Sequence, residues 1–270
     1  MAPAHDRAVA RYRTRADTVT TDRGSGPPVV LAHGTLMDRT MFEPQLGALS
    51  EEYRVVAYDL RARTDRWGGP YDLYDLADDC AALLDALGIE SCVLGGMSMG
   101  GFLALRVADR YPDRVDGLVL IDTTAGPHGD AETERYREMI ETTREAGEVP
   151  EQLAGVVKHI LFGETTNETA PDLVDAWVDR WLTYPGEAVY HEVESWLDRP
   201  DFTEELGAID VPALVVHGEE DVALEPARSD GLLEELYARR ELIPEAGHSS
   251  NLERPEPVNA ALLKFLQSVY

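Results

Sequence analysis

Val29-Val30-Leu31-Ala32 and Leu118-Val119-Leu120-Ile121 are continuous apolar runs with no polar alternation, the pattern of strands buried on both faces. Similar runs lie at 54–59, 91–94, 211–218 and 240–244, and the run around Leu118 extends over 115–122. Helical patterns separate most of them. The clearest covers 73–87: Leu73, Leu76, Cys80, Leu83, Leu84 and Leu87 form one stripe, Asp72 stands at the N-cap, and Gly88 stands where the helix must stop. Others cover 44–52, 225–239 and 255–269. Strands alternating with helices imply an α/β fold: a mainly parallel sheet covered on both faces, with ligands meeting the carboxyl ends of its strands. Residues 8–22 alternate loosely and read as an antiparallel hairpin at the sheet edge.

One junction between strand and helix carries a reactive group. Gly95-Gly96-Met97-Ser98-Met99-Gly100-Gly101 follows the run at 91–94 and precedes a stripe beginning at Phe102. Gly96-x-Ser98-x-Gly100 is the pattern in which a strained turn lifts a serine hydroxyl above a sheet, while small neighbours let strand and helix approach. The amide of Met99 opens the helix, where unpaired N–H groups and the helix dipole favour a developing negative charge. A glycine-rich turn of this kind can instead hold a phosphate. Neither G-x-G-x-x-G nor G-x-x-x-x-G-K-[ST] fits residues 95–101, which removes the nucleotide reading.

From 126 to 207 the alternation stops. Amphipathic segments at 132–146, 151–162, 171–183 and 186–197 carry Phe162, Trp177, Trp181, Tyr184, Tyr190 and Trp196. Such an insertion after a strand end reads as a helical cap (126–207) over a pocket in a core formed by 1–125 and 208–270. Each aromatic is first expected to fill the cap's own core.

A serine hydroxyl is a weak nucleophile until a base takes its proton, and an imidazole does so well when a carboxylate holds its other nitrogen. The chain supplies both, in the order Ser, acid, His. His217-Gly218-Glu219-Glu220-Asp221 follows one buried strand, and Ala246-Gly247-His248 follows the last. With His33-Gly34, Asp59-Leu60-Arg61 and Glu253-Arg254-Pro255-Glu256, these pieces resemble the α/β-hydrolase superfamily, in its branch of capped lipases, esterases and enol-lactone hydrolases. The resemblance extends from about residue 28 to the C-terminus. It implies Ser98 as nucleophile, Asp221 as orienting acid, His248 as general base, and an oxyanion hole from the backbone N–H groups of Thr35 and Met99. Asp122 competes with Asp221, since relatives can carry the acid after the earlier strand. His217 precedes the acid and matches a position that is usually structural. His33 is expected to brace a loop, and Glu219 and Glu220 to be solvated. His159 and His191 lack metal-ligand spacing, so neither metal nor cofactor is expected.

The chain departs from that resemblance after Arg61, where Ala62-Arg63-Thr64-Asp65-Arg66 replaces the usual Gly-x-Gly turn. Without glycine the loop must take another path. Arg61, Arg63 and Arg66 are expected to form surface ion pairs, the alternative being that one reaches an anionic substrate group.

Composition limits the partners. With 51 acidic against 24 basic side chains, the formal charge of −27 repels nucleic acid and anionic membranes. Residues 1–28 hold no apolar run of a secretory signal, and Cys80 and Cys92 read as small core residues, so a cytoplasmic protein is expected. Only Lys158 and Lys264 are lysines, and an acidic, lysine-poor chain suits a salt-accumulating cell or, less specifically, an arginine-biased genome. The expected function is cofactor-free hydrolysis of a small-molecule carboxylic ester or lactone. The same triad can also cleave carbon–carbon bonds or form peracids, and the fold can serve as a non-catalytic binding module. Nothing in the sequence sets the oligomeric state.

Overall fold

The structure, a computed structural model, describes residues 19–270. Its strands are β1 (Thr20–Arg23), β2 (Pro28–Ala32), β3 (Arg54–Tyr58), β4 (Cys92–Met97), β5 (Val115–Ile121), β6 (Ala213–Gly218) and β7 (Arg239–Ile243). They form one sheet in the order β1-β3-β2-β4-β5-β6-β7, parallel throughout except for β1. The expected hairpin over 8–22 falls mostly outside the described residues; its described end, β1, pairs antiparallel with β3.

The apolar runs are buried on both faces because helices cover both. Val30, Val56, Leu94, Leu118 and Val215 face one core, shared with α2 (Leu73–Leu87) and α3 (Met99–Arg110). Val29, Val55, Val93, Val119 and Val216 face the other, shared with α1 (Glu43–Leu49) and α11 (Pro255–Val269). The ends of α2 follow the sequence. Asp72 and Asp75 form a reciprocal capping box, and Gly88 closes the helix at φ 66°.

Between β5 and β6 lie five helices: α4 (Asp130–Ala146), α5 (Glu151–Leu161), α6 (Glu164–Thr169), α7 (Pro171–Trp181) and α8 (Gly186–Leu197). Four of them coincide with the amphipathic segments. The fifth, α6, has no apolar stripe to announce it; its first turn is held by Glu220, which accepts from Thr165 N and Oγ1. Glu220 is therefore a half-buried cap for that helix, not the solvated loop charge its sequence suggests. The helix expected over 225–239 is also shorter: α9 covers Asp230–Glu235, because Tyr237 turns left-handed at φ 49° and β7 begins at Arg239. Short α10 (Ser250–Glu253) follows the loop that carries His248.

Candidate active site

Ser98 occupies the turn between central strand β4 and α3, with φ 51° and ψ −114°. This region is unfavourable for a residue with a side chain and persists only where the surroundings impose it. Here they do: Ser98 N donates to Ile121 O, and Thr123 Oγ1 donates to Ser98 O, both at 2.9 Å. The flanking glycines are required by close approach. A Cβ on Gly96 would lie 2.0 Å from Gly100 O, and one on Gly100 would lie 2.1 Å from Ala32 O.

His248 and Asp221 reach this serine from the loops after β7 and β6. Ser98 Oγ lies 2.9 Å from His248 Nε2, and His248 Nδ1 lies 2.7 Å from Asp221 Oδ2. An ionised carboxylate only accepts, so Nδ1 carries the proton and Nε2 is left to accept from the serine hydroxyl. Asp221 Oδ1 accepts from Ala223 N and Leu224 N, which fixes the carboxylate's orientation. Burial alone would raise the Asp221 pKa, but the His248 charge and hydrogen bonds from both histidines outweigh it and hold Asp221 at about 2. Burial likewise works to lower the His248 pKa, and the neighbouring Asp221 raises it above the ordinary value instead. An imidazole held in this way can take up a serine proton and return it to a leaving group.

The rivals are engaged elsewhere. Asp122 accepts from Gly218 N and from Ser250 N and Oγ, so it ties three loops together below the site, and burial pushes it up to about 6. His217 Nε2 sits 2.7 Å from Leu224 O and 3.1 Å from Asp221 Oδ2, a second imidazole on the same carboxylate. His33 Nε2 accepts from Leu60 N while Nδ1 donates to Gly34 O, and burial drives its pKa down to about 3; it is a neutral brace. Asp122, His217 and Asp221 approach closely enough to share a metal ion, but every carboxylate oxygen among them already accepts from a protein N–H or O–H.

Thr35, after the His33-Gly34 turn, and Met99, the first residue of α3, flank the serine. Among the described residues neither backbone amide has an intramolecular acceptor, and Thr35 Oγ1 lies 3.8 Å from Met99 Sδ. A cavity of about 80 Å³ adjoins Ser98 and His248. Phe102 and Leu36 of the core line it with Ile140, Val157, Val193 and Trp196 of the helical insertion, and among the described residues no Asp, Glu, Lys or Arg does. Trp196 thus borders the cavity, whereas Trp177 and Trp181 fill the packing between helices.

The arginine loop forms ion pairs, but they are not all at the surface. Arg61 and Arg66 share Asp79 of α2, whereas Arg63 runs inward to Glu192 of α8, where both side chains are buried. The absent Gly-x-Gly turn is replaced by a 3₁₀ turn over Arg61–Arg63, with no positive φ.

Two further carboxylates were given no role from sequence. Glu192 is one. Glu253 is the other: its Oε1 accepts from Gly247 N and Ser249 N on either side of His248, and its Oε2 accepts from Gly163 N before α6. A capping pattern, serine followed by glutamate three or four residues on, is the signal that could have found Glu253.

Comparison with known proteins gives this geometry its family. Residues 29–261 match the alpha/beta hydrolase family. The chain belongs to that family. Among solved α/β hydrolases, a thermophilic esterase from Thermogutta terrifontis is 34% identical with a TM-score of 0.87, covering 93% of each chain. An enol-lactonase from Burkholderia xenovorans is 29% identical with a TM-score of 0.84, covering 92% of this chain and 95% of the other. A non-heme haloperoxidase from Rhodococcus erythropolis is 30% identical over 92% of this hydrolase and 94% of its own length.

Proposed function

We propose that this α/β hydrolase is a cofactor-free serine hydrolase of carboxylic esters or lactones, with 126–207 as the cap over its substrate. Ser98 attacks the carbonyl carbon, and His248 Nε2 takes the serine proton and passes it to the leaving oxygen. Asp221 stabilises the imidazolium, the amides of Thr35 and Met99 receive the oxyanion, and water then deacylates the enzyme with His248 again as base. The observation that carries the reading is the unbroken chain Ser98 Oγ, His248 Nε2, His248 Nδ1, Asp221 Oδ2 bordering an apolar cavity.

The same cavity supports a neutral acyl group as the preferred substrate, because an anionic group would lose its hydration among side chains that offer no counter-charge. Hydrolysis of p-nitrophenyl esters of increasing chain length, alongside neutral and carboxylate-bearing lactones, tests this. Neutral esters should be the better substrates, and faster turnover of the carboxylate-bearing compounds would overturn the preference. Labelling by a fluorophosphonate should fall on Ser98; a protein that resists the probe and hydrolyses none of these compounds would instead be a binding module.

A further inference from the structure

Cap helix α8 reaches into the core at one point. Glu192, fully buried, stands between Val189 and Val193, both of which line the cavity. Its Oε2 accepts from Leu36 N at 3.2 Å and from Arg63 Nη2 at 2.8 Å. Arg63 continues the link: its Nε donates to Met37 O at 3.0 Å, and its guanidinium lies 3.8 Å from the Tyr184 ring centroid. Leu36 itself is left-handed at φ 62°, a conformation a leucine adopts only where something holds it.

These contacts surround Thr35. The amide of Met37 turns back to Gly34 O on one side, and the peptide joining Thr35 to Leu36 is pinned through Leu36 N on the other. We propose that Glu192 is a positioning residue for the oxyanion hole: its carboxylate fixes the Leu36 N–H and thereby aims the Thr35 amide at the substrate, with Arg63 as counter-ion. The inference rests on the serine-hydrolase reading above. Because Glu192 rides on the helix whose neighbouring side chains face the acyl group, the hole is set by where the cap lies.

Two double variants isolate the acceptor. Arg63→Met/Glu192→Met removes both charges and the acceptor without stranding a buried cation, whereas Arg63→Met/Glu192→Gln keeps an oxygen for Leu36 N–H. The first should lose about 10- to 100-fold in kcat with KM within about threefold, and its affinity for a trifluoromethyl ketone transition-state analogue should fall by a similar factor. The glutamine variant should recover most of both losses. Equal kcat in the two variants would overturn the proposal. As a readout that needs no variant, the Leu36 amide should exchange with solvent at least about 100-fold more slowly than an unstructured amide, and free exchange would also overturn it. Ser98→Ala separates the two levels of inference. If it stays active, the serine-hydrolase reading fails; if it is inactive while the methionine and glutamine variants turn over alike, only the role of Glu192 fails.

Discussion

At Ser98 the backbone holds an outlying conformation so that the hydroxyl meets His248 Nε2. Such strain costs on the order of 1–3 kcal/mol, and glycine would relieve it at an entropic cost of under about 1 kcal/mol. Ser98→Gly should therefore melt above Ser98→Ala in a thermal scan, while both lose three or more orders of magnitude in turnover. The pH profile has a definite sign. His248 acts as base only when neutral, and its pKa is raised above 6.5 by Asp221, so kcat/KM should climb through a midpoint above 6.5. Replacing Asp221 with Asn should lower that midpoint and kcat together. The same pair contributes to stability in a bounded window. The His248 share is complete below 6.5 and is lost as pH rises through its raised folded value. The Asp221 share is complete above 3.8 and is lost as pH falls through about 2. The melting difference between wild type and His248→Gln should thus be largest between these limits and shrink in alkali.

Elements meet at the site through short polar links, and these were the least legible part of the sequence. Helix α2 could be read to its end residues because its cap, stripe and terminating glycine are all local. Glu253 is harder to read, because its amide partners include Gly163, ninety positions away. Glu253→Ala leaves the Gly163, Gly247 and Ser249 amides without their acceptor, each costing about 1–3 kcal/mol if it stays buried. Chemical denaturation should register a loss of several kcal/mol, with kcat falling as the His248 loop loosens; Glu253→Gln, which retains one oxygen, should lose less. Helix α6 illustrates the reverse difficulty, since an element without an apolar stripe exists because Glu220 holds its first turn.

Over the whole molecule the formal charge of −27 sets acidic side chains against one another. Salt screens such repulsion to about 3 Å at 1 M, so the melting temperature should rise between dilute buffer and molar KCl, and a flat response would remove the argument for salt adaptation. Sequence by itself determined the alternation of strands and helices, the turn that carries Ser98, and the order in which Ser98, Asp221 and His248 arrive. Those features are written in local spacing, in periods of two and 3.6 residues and in the residues that end elements. Only the tertiary structure decided that Asp221 and not Asp122 faces His248, that Arg63 is buried against Glu192, and that Trp196 rather than Trp181 borders the cavity. Contacts between residues a hundred positions apart depend on how strands register and helices pack, and no local period encodes them.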